Sequence, residues 1–94
     1  MSFLERLAKK IDNVEKKIQK EEEKIQKLEE KYNEKKITKA KLNIEKRKIN
    51  DRIKAFRARH QTLKGLVVKE KQHQEEKAEE KEKKKKEKEK KKGE

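Results

Sequence analysis

Along two stretches of this chain, apolar residues recur at alternating steps of three and four, and the phase of that alternation breaks once between them. In the first stretch Leu4, Leu7, Ile11, Val14, Ile18, Ile25, Leu28 and Tyr32 hold the pattern, interrupted only by Glu21. In the second, Leu42, Ile49, Ile53, Phe56, Leu63 and Val67 hold it, with Lys46 and His60 in the vacant places. Such a repeat is the a/d seam of a coiled coil, because it puts one side chain per half-heptad onto a single narrow stripe of an α-helix. The break falls at Asn33-Glu34-Lys35-Lys36-Ile37. A short polar connection between two seams predicts an αα-hairpin. One unbroken helix competes with it, since no Pro or Gly forces a turn there. Ser2 with Glu5 makes a capping box at the start of the first helix, and Thr38 is placed to cap the second. The expected fold class is therefore all-α: an antiparallel two-helix coiled-coil hairpin followed by a charged helical or disordered tail. Helix 1 spans about residues 3–32, the turn about 33–38 and helix 2 about 39–68, with a Lys/Glu-rich low-complexity tail over 69–94.

The hairpin predicts a register. Pairing residues whose numbers sum to 74 places Tyr32 on Leu42, Ile25 on Ile49, Ile18 on Phe56, Ile11 on Leu63 and Leu7 on Val67. Each polar seam residue then meets an apolar one: Lys46 meets Leu28, Glu21 meets Ile53 and His60 meets Val14. On one side, the e positions Glu15, Glu22 and Glu29 are expected opposite Arg57, Asn50 and Asn43. On the other, the g positions bring Lys31 to Glu45 but also Lys24 to Arg52 and Lys17 to Arg59. The last two are like-charge contacts that fold stability does not explain.

Composition bounds what such a body can do. Only 27% of the 94 residues are apolar, 56% are charged, and Cys is absent. That excludes a layered α/β core with an enclosed pocket, a disulfide framework and a Cys-based zinc site. No apolar run approaches the roughly 18 residues of a membrane span, and no signal-peptide stretch opens the chain, so the expected compartment is the cytoplasm. No nucleophile–base constellation and no glycine-rich phosphate loop is present, so neither an enzyme, a cofactor nor a small-molecule substrate is expected. His60 and His73 are the only histidines, too few for a metal site, and His60 is expected as a packed seam residue whose titration could modulate the hairpin near neutral pH. Glu21 is expected to snorkel outward, with register-setting as its second reading. Tyr32 and Phe56 lie on the seam and are expected in the core rather than in a base-stacking platform. Gly65 falls outward and should weaken helix 2 rather than end it.

Charge carries the functional signal. The net charge is +13, distributed as +1 over residues 1–32, +9 over 33–68 and +3 over 69–94, and of the apolar residues only Ala78 lies beyond residue 68. The c and g positions of the hairpin share one flank. They hold Arg6, Lys10, Lys17, Lys20, Lys24, Lys27, Lys31, Lys41, Lys48, Arg52 and Arg59, with Glu45 the only acid. The opposite flank mixes Glu5, Asp12, Glu15, Glu22 and Glu29 with Arg47, Lys54, Arg57 and Lys64 and is near neutral. A general Lys/Glu bias would scatter both signs. This sorting predicts a rod, about 45 Å long at 1.5 Å per residue, that contacts phosphates of duplex DNA or structured RNA without base readout. A ribosome- or nucleoid-associated role fits equally, with the tail as a further electrostatic arm or a solubilising extension. The alternative is a structural or adaptor coiled coil, using the seam and the off-seam Ile44, Leu66 and Val68 to form a homodimer or dock a protein partner. Membrane-surface binding through Phe3, Leu4 and Leu7 is disfavoured by the acidic residues of helix 1. In the tail, Glu79–Lys83, Glu80–Lys84, Glu82–Lys86 and Glu87–Lys91 have the i,i+4 spacing that supports a solvated helix.

Overall fold

The computed structural model describes residues 2–92, with side chains as far as residue 82, and is an antiparallel helical hairpin. Helix α1 runs Phe3–Asn33 and helix α2 runs Lys39–Lys92. The seam expectation holds residue by residue. All seventeen seam positions, including Glu21, Lys46 and His60, are buried or half-buried; elsewhere among residues 2–82 only Ile37, Glu45 and Glu70 are not exposed. Leu7, Val14 and Leu63 form the centre of the core towards the open end, with Ile11, Ile18, Phe56 and Val67 packed on them. Leu42, Ile49 and Ile53 are buried nearer the turn. The polar contacts between the helices are Glu21–Arg52, Glu15–His60, Glu29–Lys46 and Glu22–Arg57. Their numbers sum to 73, 75, 75 and 79, around the expected register of 74.

The turn explains how the chain reverses without glycine. Lys36 N–H donates to Lys31 C=O at 2.8 Å and Lys35 N–H to Tyr32 C=O at 2.9 Å. Lys35 itself adopts a left-handed φ of 62°. These two bonds around a left-handed residue are the Schellman ending of a helix, in which otherwise orphaned carbonyls find donors. Thr38 then restarts the helix: its Oγ1 accepts from Lys41 N–H at 3.2 Å, and its carbonyl accepts from Leu42 N–H at 3.0 Å. At the other end Ser2 Oγ accepts from Glu5 N–H at 3.2 Å, the hydroxyl half of the expected capping box.

The tail takes the helical one of its two expected forms, so helix 2 carries past the expected limit of its packed part near residue 68. Helix 2 does not stop near residue 68 but continues without a break to Lys92. No Gly or Pro lies between residues 66 and 92, and Lys, Glu, Gln and Ala are among the strongest helix formers. Gly65 is passed through within the helix. Over residues 68–82 packing nevertheless ends where the seam does: only Glu70 is even half-buried there, and residues 71–82 are exposed. The hairpin is thus a two-helix rod from which α2 projects alone, within overall dimensions of 86 × 19 × 16 Å. The four tail pairs noted above involve side chains outside the described residues.

Candidate functional site

Because each helix turns its seam inward, its c and g positions fall to one side of the interface and its b and e positions to the other. Contacts between the helices fix which sides coincide. Lys24 of α1 and Arg52 of α2 reach the same carboxylate, so the two g rows share a flank. Glu15, Glu22 and Glu29 bond His60, Arg57 and Lys46 on the other. All eleven cations of the sequence-derived flank (Arg6, Lys10, Lys17, Lys20, Lys24, Lys27, Lys31, Lys41, Lys48, Arg52 and Arg59) are exposed. Among the described residues three of them make ion pairs: Lys24 and Arg52 with Glu21, and Lys48 with Glu45. Lys17 places its ammonium 5.9 Å from the centre of the Phe56 ring, a weak cation–π contact. The other cations of the flank project into solvent.

Glu21 overturns the outward-snorkelling expectation and removes the like-charge conflict between Lys24 and Arg52. It is 8% exposed. Arg52 donates to Oε2 from Nε at 3.1 Å and from Nη2 at 2.9 Å, and Lys24 Nζ donates to Oε1 at 3.2 Å. The Arg52 bonds hold the carboxyl below its ordinary range; burial opposes this, and Lys24 adds to the lowering. One seam carboxylate therefore neutralises part of the charge that two basic rows bring together. The other carboxylate pairings also differ in detail from expectation. Arg57 reaches Glu22 at 3.5 Å rather than Glu15, which bonds His60 Nε2 at 2.8 Å instead. Glu29 pairs with Lys46 at 2.7 Å rather than lying against Asn43 alone. Glu45 pairs along its own helix with Lys48 at 3.7 Å, not with Lys31. Glu15 and Glu29 are taken by the seam residues His60 and Lys46, Glu22 by Arg57, and Glu45 by a neighbour one turn along its own helix.

Two further features bear on what can bind. Leu7 is 2% exposed and Leu4 half-buried, so two of the three residues of the membrane-surface reading belong to the core. Among the described residues no helix is long and apolar enough to cross a membrane, and no three metal-ligating side chains cluster. The turn is more cationic than the heptad bookkeeping alone indicated. Lys35, Lys36 and Lys39 are exposed there, next to a shallow cleft lined by Tyr32, Asn33, Lys35 and Ile37. Their signal was present in the composition of the turn, but a turn has no heptad position to assign. No family model matches the chain, and no curated protein or solved structure shows significant similarity to it.

Proposed function

We propose that this chain binds nucleic acid without sequence specificity, laying its c/g flank along the sugar–phosphate backbone, in a ribosome- or nucleoid-associated role. The observation that carries this reading is the free charge of the flank. Of its eleven exposed cations, eight make no ion pair among the described residues, and only Lys17 of these has another contact, the weak one over Phe56. Attraction of this type draws on counterion release and needs no base contact. The rod's cross-section of 19 × 16 Å also exceeds a major groove about 12 Å wide, which favours lying across phosphates over entering a groove.

A charge-placement experiment tests it. Lys10→Glu, Lys20→Glu, Lys27→Glu and Lys41→Glu in one variant reverse four unpaired cations of the flank. Lys9→Glu, Arg47→Glu, Lys54→Glu and Lys64→Glu make the same net change elsewhere on the rod. With six to eight phosphates engaged, log K for a duplex should fall with log salt at a slope of about −5 to −7. The flank variant should lose most of the affinity and flatten the slope by about 0.9 per lost contact. The control should keep both. A slope near zero for the unmodified protein, or equal losses in the two variants, refutes the proposal.

The adaptor reading keeps one specific support: Ile44, Val68 and Leu66 are 56%, 55% and 40% exposed. Sedimentation showing a tight oligomer that ignores nucleic acid would favour it.

A further inference from the structure

At the hairpin tip a shallow recess brings together Tyr32, Asn33, Ile37 and the cation Lys35. Tyr32 is the last seam layer before the turn, and both it and Ile37 are half-buried beside the cleft. The ring is half-buried rather than enclosed, and it lines the cleft with Asn33, Lys35 and Ile37. The Lys39 ammonium stands 6.0 Å from the ring centre. Residues 31–41 carry five lysines and one acid, Glu34, which is engaged by Lys36 at 2.9 Å. The left-handed φ of Lys35 holds its backbone beside the cleft, where a glycine would be the unstrained choice.

We infer that this tip cleft binds an unpaired nucleotide, with its base against the Tyr32 ring and Ile37, its edge towards the Asn33 amide, and its phosphate towards Lys35 and Lys39. The inference rests on the nucleic-acid reading of the flank and adds a site that the flank does not need. An aromatic face accepts any base, so the contact adds affinity without sequence preference. Lys39 exchanges a weak contact over the ring for a phosphate. The preferred ligand is then a duplex carrying a single-stranded end or loop: the rod's flank takes the paired region and the tip takes the unpaired base.

Tyr32 is the chain's only tyrosine and there is no tryptophan, so its ring signals report on this cleft alone. The full chain is titrated, with its Tyr ring resonances followed by NMR, using a short single-stranded oligonucleotide, a duplex with a single-stranded overhang (the overhanging oligonucleotide), a blunt duplex and inorganic tripolyphosphate. A stacked base should shift the ring signals upfield with the oligonucleotide, while tripolyphosphate, which has no ring current, should not. Tyr32→Leu keeps an apolar seam layer and should weaken binding of the overhanging oligonucleotide about five- to tenfold relative to the blunt duplex. Tyr32→Phe should restore it. If the oligonucleotide binds by anisotropy while the Tyr ring signals stay unmoved, the tip inference fails and the flank reading stands. Equal weakening for the overhanging and blunt ligands in Tyr32→Leu also overturns it. If neither nucleic acid binds the unmodified chain, both readings fall.

Discussion

The Glu21 clasp makes a prediction whose sign depends on which partner is removed. Glu21 occupies a seam position at 8% exposure, against the 5%-exposed Ile53, yet its partners are close to water: the side chains of Arg52 and Lys24 are 48% and 57% exposed. Replacing the carboxylate by Leu removes its desolvation cost and adds apolar burial. A fully buried Leu contributes about 1.5–3 kcal/mol, of which the Glu methylenes already supply part. The lost ion pair is half-exposed and contributes at most about 1 kcal/mol, and both cations can swing into solvent. Glu21→Leu should therefore stabilise the hairpin by about 1 kcal/mol, as removal of buried pairs often does. Arg52→Gln breaks the same contact from the other side and leaves the carboxylate on the seam with Lys24 alone. It should destabilise by about 1–2 kcal/mol, the usual range for a charged hydrogen bond discounted for exposure. The double variant should behave like Glu21→Leu, since Arg52 then has no partner to lose. Thermal unfolding followed by helical circular dichroism reads the difference, with about 4–8 °C of midpoint per kcal/mol at this size. The same substitution frees two cations of the flank. If both reach phosphates, the salt slope for duplex binding should steepen by about 1.8. A fall in midpoint for Glu21→Leu, or no change for Arg52→Gln, would refute this account of the clasp.

Acid should weaken the hairpin through the same group. The folded carboxyl of Glu21 titrates below its ordinary value of 4.5, so its stabilising contribution is complete above that value. It is lost as pH falls from about 4.5 through the lower folded value, and a urea midpoint measured across this range should show a drop that Glu21→Leu reduces. Lys35→Gly should raise stability by about 0.5–1 kcal/mol, because Gly relieves the left-handed φ of 62° at a cost in unfolded-state entropy smaller than the strain. A lower melting midpoint would contradict the turn geometry. Gly65→Ala should also stabilise by about 0.5–1 kcal/mol, since a Cβ there meets nothing within 4 Å and the residue is helical; chemical denaturation checks it.

The hairpin was legible because its signal is redundant. Seventeen seam positions in two runs share one period, and a single phase break separates them, so that the polar exceptions at Glu21, Lys46 and His60 could not disguise the pattern. The turn was legible as a place but not as a mechanism. Nothing in Asn33-Glu34-Lys35-Lys36 marks Lys35 as the left-handed residue, because a Schellman ending without Gly depends on backbone bonds that any sequence can make. The sequence leaves the tail helical or disordered for a related reason. Loss of apolar residues ends packing, but helix continuity depends on propensity, and Lys and Glu support a helix whether or not it touches anything.

The charge pattern was legible by row but not by bond, and the difference matters for function. Heptad letters place Lys24 and Arg52 on one flank and leave their proximity as a repulsion. Only the reach of side chains shows that a seam carboxylate sits between them and turns the repulsion into a clasp. That clasp withdraws two cations from the middle of the flank, while Arg6 and Lys10 near the open end, and Lys27, Lys31 and Lys41 near the turn, remain unpaired among the described residues. Under the proposed phosphate binding, Lys24 and Arg52 serve stability and binding together, whereas the unpaired cations of the flank serve binding alone. Substitutions at the centre should change both properties together, whereas Lys27 and Lys41 should change binding with little effect on folding.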